Sequence, residues 1–341
     1  MKSQAASFND LLSENSNRSS KLTQATSAFW VMVRKEVGDL VHSWRFIILA
    51  VLILLTFTGS MYISLSNIGK AVSQEQDANH LFIYLKLLTT SDGGTLPTFH
   101  VFISFLGPLL GIALGFDAVN SEQANGTLIR LMAQPVYRDN IILAKFTSAI
   151  IVVATLFLSL CLLMVGAGML VTGVPIEPAE IVRILFFVLL TVMYVGFWLT
   201  LSLFFSIQFR QSSTSALAAI AVWLFFTVFY PIILQMVAKA VLPDPATLSQ
   251  EEMAYYNNIL MNFLRFIPNQ LYTDASTILL MPSVRSLGPL TMEQITGALP
   301  APLSTRDSLL IVWPQVSGLL SCTILCFAWA YSIFMRREIR N

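Results

Sequence analysis

The chain has 341 residues, 55% apolar and only 11% charged, with 20 Lys and Arg against 19 Asp and Glu and a mean hydropathy of +0.71. A soluble domain carries about 25% charged residues, so these proportions exclude an ordinary soluble enzyme, a disordered chain and a nucleic-acid binder. They describe an all-α, polytopic membrane protein.

Residues 1–25 are rich in Ser, Asn and Gln and read as a disordered cytosolic tail. Residues 26–45 are expected to form an amphipathic interfacial helix. Phe29, Trp30, Val33, Val37, Leu40, Val41 and Trp44 fall on one face, with Arg34, Lys35, Glu36 and Asp39 on the rest. From 46 to 341 the chain reads as a transmembrane domain. Six runs free of Asp, Glu, Lys and Arg occur at 46–65, 99–116, 146–171, 184–209, 215–238 and 308–335. A spanning helix needs about 20 residues, so all six qualify. Pro108, Pro231 and Pro314 lie within runs and are expected kink points.

Six spans place both termini on one side. With the termini cytosolic, the inner flanks carry ten Lys and Arg (Arg34, Lys35, Arg45, Arg130, Arg138, Lys145, Arg210, Arg336, Arg337, Arg340). The short outer loops carry three, Lys70, Lys86 and Arg183. That asymmetry favours cytosolic termini in a cell membrane. It leaves a cytosolic loop at 117–145 and an outer loop at 239–307. In the outer loop 250–266 has helical character, with Met253, Tyr256, Leu260, Phe263 and Leu264 in phase, and 282–305 reads as irregular.

The chemistry expected of an enzyme is missing. There is no G-x-x-x-x-G-K-[ST], H-E-x-x-H or G-x-S-x-G. His42, His80 and His100 are far apart, and Cys161, Cys322 and Cys326 sit in apolar runs, so neither a metal site nor a disulfide framework is expected. The six runs hold no carboxylate or base at mid-depth, where an ion-coupled pump would need one. Transport by this chain therefore requires energy from another subunit.

Two small-residue faces stand out. Gly107, Gly111 and Gly115 are four apart in the second span, and Ser215, Ala218 and Ala219 open the fifth. Small residues let helices approach closely. The stripe serves either packing within the subunit or a dimer seam and translocation route. A methyl at Gly111 is expected to be mild on either reading.

The most specific signal is the segment from Glu122 to Lys145. Glu122, Gly126, Thr127, Leu128, Leu131, Pro135, Arg138 and Lys145 match, as they stand, the first cytosolic loop of the type-2 ABC transporter permeases, which this chain resembles over its whole length. The Lys35–Glu36 pair ahead of the first span is similar to the family's start. Within that family the layout resembles the six-span permeases of nitrous-oxide-reductase maturation. Gln123 stands where a base is common, and Ile129–Arg130 replaces a frequent acidic position, so partner specificity is expected to differ.

The resemblance implies a permease of an ATP-driven exporter, with an amphipathic or lipid-like molecule or a peptide as expected cargo. It implies two copies of a separate ATPase subunit, which bind the ATP and Mg, and a second permease, same or homologous. This chain carries no cofactor or catalytic residue of its own, and its other contacts are with lipid, not nucleic acid. The apolar strip Leu128, Leu131 and Met132, with Glu36, Glu122, Gly126, Thr127, Pro135 and Arg138, is the expected ATPase-coupling surface. The alternative is an ATPase-driven membrane scaffold, or mechanotransmitter, acting on an extracytoplasmic partner without bulk transport. A substrate-flux assay separates the two.

Overall fold

The computed structural model describes residues 28–73, 82–89, 98–127, 137–241, 249–282 and 303–336. The expected tail at 1–25, most of the irregular stretch 282–305, and Leu128, Leu131, Met132 and Pro135 lie outside the described residues. Among the described residues every regular element is helical. In chain order they are α1 (28–41), α2 (Trp44–Ser73), α3 (Ile83–Thr89), α4 (Phe99–Gly115), α5 (Asn120–Ala124), α6 (Arg138–Thr172), α7 (Pro178–Gln208), α8 (Ser212–Leu224), a π-turn (Phe225–Phe229), α9 (Tyr230–Val241), α10 (Gln250–Leu264), α11 (Pro268–Leu280) and α12 (Thr305–Arg336). Among the described residues six helices are long and apolar enough to cross a membrane: Trp44–Ser66, Phe99–Ala124, Arg138–Thr172, Pro178–Gln208, Ser212–Val241 and Thr305–Arg336. The protein is a multi-pass membrane protein. The end of the bundle that carries α1, α5 and the last turn of α12 is termed the terminal face below.

Helix α7 is the centre of the bundle and packs on α4, α6, α8, α11 and α12. Its Tyr194 and Trp198 are fully buried. The glycine stripe is what brings α4 against it. A Cβ on Gly107 would lie 3.2 Å from the Tyr194 ring, one on Gly111 2.6 Å from the Val195 carbonyl oxygen, and one on Gly115 2.9 Å from the Leu199 carbonyl oxygen. The stripe thus packs within the subunit. Two hydrogen bonds cross the same seam: Tyr194 Oη donates to the Ser104 carbonyl at 2.7 Å and Ser202 Oγ to the Ile112 carbonyl at 3.0 Å. Close approach of backbones supplies dispersion contacts in a bilayer, where no hydrophobic drive exists between helices.

Span five stands at the edge. Ser215, Ala219 and Trp223, four apart, turn inward, and Trp223 meets Phe105 of α4 edge-on at 5.0 Å. Ala218 is half-buried, while Leu217, Leu224, Val228 and Ile232 are exposed. The π-turn precedes Pro231, and the Tyr230 amide bonds to the Phe225 carbonyl five residues back. Proline lacks an amide hydrogen and crowds the preceding turn, which a π-turn relieves.

The segment expected as an outer loop contains two helices, and the second is inside the bundle. Tyr272, Ala275 and Ile278 of α11 are fully buried. Tyr272 stacks on Tyr194 with ring centroids 4.4 Å apart and shares a hydrogen bond with Thr191 at 3.1 Å. The end of α11 is held by Arg183, counted above as an outer-flank charge but here fully buried. Its guanidinium donates to the Leu279 carbonyl at 3.1 Å, to Ser308 Oγ at 3.0 Å and to the Leu303 carbonyl at 2.7 Å. One side chain thus ties α7, α11 and the start of α12. Arg183→Met should lower the thermal midpoint in detergent. Hydrogen bonds from a charged group contribute about 1.5–3 kcal/mol each, so losing all three should cost about 4.5 kcal/mol even at the low end of that range. An unchanged midpoint would show that the clamp adds nothing.

Candidate functional site

Helix α1 ends at a break. Ser43 Oγ donates to the Leu40 carbonyl at 2.7 Å and accepts from the Phe46 amide at 3.4 Å, at the start of α2. The expected apolar face is split. Val33 is buried and Leu40 partly so, whereas Trp30, Val41 and Trp44 are exposed. Trp and Val exposed beside a spanning helix suit the headgroup layer. Glu36 turns inward, not outward with the other charges.

Its partner is Lys145, two turns into α6. Lys145 Nζ donates to Glu36 Oε2 at 3.0 Å and to Glu122 Oε1 at 2.7 Å. The lysine side chain is 7% exposed and each carboxylate 15%. Three separate elements, α1, α5 and α6, therefore meet at one ammonium. A second pair lies beside them: Arg45 at the head of α2 bonds Asp117 just beyond α4, and its guanidinium rests 4.6 Å from the Phe116 ring centroid. Together these groups line a pocket of about 210 Å³ on the terminal face, with Asp39, Ser43 and Ser121 in its wall.

Helix α5 is a single turn hung from span four. Ser206 Oγ accepts from the Val119 amide at 3.0 Å and the Asn120 amide at 3.3 Å, and Ser212 Oγ donates to Asn120 Oδ1 at 3.1 Å. Gly126 ends it at φ +67°. An L-residue there costs about 1–2 kcal/mol, which gives the Gly in the motif a backbone reason. Thr127 Oγ1 then donates to the Glu122 carbonyl at 3.1 Å. Glu122 Oε2 and Gln123 Oε1 are buried and accept no hydrogen bond among the described residues.

The structure thus joins Glu36 and Glu122 of the expected coupling surface, through Lys145, with Gly126 and Thr127 adjacent. Arg138 sits apart and ties the first turn of α6 to the last turn of α12, donating to the Phe334 carbonyl at 3.0 Å with its guanidinium 5.4 Å from that ring. The Arg45–Asp117 pair escaped the sequence reading. Both residues flank spans on the terminal face, and that shared flank was the available signal. Gly107, Gly111, Gly115, Ser215 and Ala219 pack toward the subunit's own helices and contribute nothing to this pocket.

Comparison with known proteins gives two matches. The family described as ABC-2 family transporter protein matches residues 30–339. The probable ABC transporter permease protein NosY of Stutzerimonas stutzeri is 25% identical over 315 residues, covering 90% of this chain and 98% of that protein.

Proposed function

The chain belongs to the ABC-2 transporter family as a permease subunit, and on that premise we propose that energy enters it through the terminal face. The subunit is not itself catalytic. Its family implies a partner ATPase and no cofactor in the permease.

The observation that carries the proposal is the joint at Lys145, where the amphipathic helix, the turn after span two and the start of span three are pinned together. A push delivered to the 120–137 loop would be passed to α1 and α6 as one body. The coupling surface comprises Glu36, Glu122, Gly126, Thr127, Leu128, Leu131, Met132, Pro135 and Arg138.

The fuller assembly has two permeases and two ATPase subunits. The terminal face is cytosolic, with 1–25 as a tail and 117–145 as the coupling loop. The cargo is an amphipathic or lipid-like molecule or a peptide, moved outward. The exposed apolar side of span five, from Leu217 to Ile232, supports contact with a second permease or lipid.

Leu131→Asp tests the docking. A charge forced into an apolar contact costs about 2 kcal/mol or more, so affinity for the ATPase subunit should fall about 30-fold. Membrane insertion should stay normal, because the site lies beyond the hydrocarbon. Co-purification at the wild-type level would remove the docking assignment.

A further inference from the structure

Helix α3 is seven residues long, yet Ile83, Tyr84, Leu85, Leu87 and Leu88 are buried, and Lys86 is the residue it exposes. It packs on α2, α4, α6 and α7 at the end of the bundle opposite the terminal face. Isolated helices shorter than about 12 residues are marginal in water, so α3 owes its form to its seat.

Four spans build that seat. Span four supplies Glu180, which is buried; its Oε1 accepts from the Tyr84 amide at 2.9 Å and its Oε2 from the Glu177 amide at 3.2 Å. Span three supplies a gap, since a Cβ on Gly168 would lie 2.8 Å from the Tyr84 ring and 3.1 Å from Leu87 Cδ1. Tyr84 Oη donates to the Val174 carbonyl, just beyond the same span. Span one supplies Ser64, whose Oγ donates to the Leu87 carbonyl at 3.1 Å. Span two supplies His100, whose Nδ1 stands 3.5 Å from the Leu88 carbonyl. These side chains meet backbone groups that the ends of a helix leave open. Spans three and four thus hold the first turn of α3, and spans one and two hold its last carbonyls. The glycine seam ties spans two and four farther down. At this end α3 bridges the two pairs. The chain enters α3 through Phe82 at φ +66°, a left-handed conformation that a non-glycine residue keeps only where its surroundings impose it.

We propose that α3 is a releasable latch across this end of the bundle. It is seated while spans one and two stand against spans three and four, and it leaves its seat and unfolds when they part. The strain at Phe82 and the lack of helix stability outside the seat make the seated and released forms two discrete states. Its use as a gate in a transport cycle rests on the permease reading. The latch itself does not.

Thiol labelling of the full chain reads the released form. In a background of Cys161→Ala, Cys322→Ala and Cys326→Ala, the single changes are Leu87→Cys, Lys86→Cys and Ile184→Cys. Lys86 is the exposed reference, and Ile184, one turn beyond Glu180, is the buried one. A quaternary-ammonium methanethiosulfonate is given to both sides of isolated membranes, and only a hydrated thiol ionises and reacts. Leu87→Cys should react more slowly than Lys86→Cys but at least about tenfold faster than Ile184→Cys, through local release. Ser64→Ala removes one docking bond and should speed Leu87→Cys about fivefold. Gly168→Ala crowds the seat from span three and should speed it too, whereas Gly166→Ala, with nothing within 4 Å of its new Cβ, should not. Leu87→Cys as slow as Ile184→Cys, and unmoved by Ser64→Ala and Gly168→Ala, would fix α3 in the core and overturn the latch. Equal acceleration of Ile184→Cys would mean that the whole bundle loosens, and would overturn it as well. In the complex with the ATPase subunit, trapping nucleotide with vanadate should also speed Leu87→Cys. Trapped nucleotide with an unchanged Leu87→Cys rate would overturn the gate, whereas a complex that traps no nucleotide would count against the permease reading, the latch being decided by the labelling of the chain alone.

Discussion

Gly111→Ala should sharply reduce the yield of folded, monodisperse protein in detergent, although it adds one methyl group. The new Cβ would stand 2.6 Å from the Val195 carbonyl oxygen, 2.9 Å from the Leu199 amide nitrogen and 3.0 Å from the Trp198 Cβ. Two of these are backbone atoms of α7 and the third is the root of a fully buried side chain, so none can swing aside. The helices must separate, and the Tyr194–Ser104 and Ser202–Ile112 hydrogen bonds stretch with them. Overpacking a filled interior costs about 1–3 kcal/mol and sometimes more, and Gly111 should sit at the upper end. Gly107→Ala should be milder, because its nearest atoms belong to the Tyr194 ring and the Val195 side chain. Gly166 is the control, being exposed in α6 with nothing within 4 Å of an added Cβ. There alanine should be neutral or stabilising by up to about 1 kcal/mol, from helix propensity. Equal thermal midpoints for Gly111→Ala and Gly166→Ala would show that the seam is looser than described.

Lys145→Met should be the most damaging change on the terminal face. It leaves Glu36 and Glu122, each 15% exposed, facing one another with only the exposed Lys35 ammonium, 3.8 Å from Glu36, beside them. Removing one partner of a buried ion pair costs about 3–5 kcal/mol, since the remaining charge stays desolvated. Either Glu36→Gln or Glu122→Gln should cost less, because a one-to-one pair survives. The triple variant Lys145→Met/Glu36→Gln/Glu122→Gln should recover much of the loss, as neutral groups replace an uncompensated charge. The readouts are the thermal midpoint and proteolysis within α1, which should become faster only in the lysine variant. A wild-type midpoint and intact α1 in Lys145→Met would end the claim that this ammonium pins the three elements.

Alternative partners explain what the chain's residues did and did not reveal about this site. Glu122, Gly126 and Lys145 were legible as a motif, because a turn closed by a left-handed residue demands glycine whatever surrounds it. Glu36 was placed with Arg34, Lys35 and Asp39 off the apolar face of α1. A helical projection sorts residues by type, and it cannot know that a buried ammonium waits on another helix. The small faces of spans two and five were legible as close-packing surfaces. Their partner, α7, was not, because a glycine stripe looks alike whether it meets its own subunit or another. For the same reason the mildness expected of Gly111→Ala changes once the atoms opposite are known.

What the sequence determined by itself follows from the solvent. Hydrocarbon forces each backbone polar group to bond within its own helix and sets a minimum length, so runs free of charge could be read directly as six spanning helices. The hairpin of α10 and α11 was decided only in three dimensions. Its Arg265, Asn269, Gln270 and Asp274 make the segment look like an outer loop, since hydropathy charges each polar side chain its full cost of leaving water. In the folded protein those groups satisfy one another and Tyr194, and Arg183 caps the carbonyls at the end away from the terminal face. The cost of burial belongs to the set of partners, which only tertiary structure assembles.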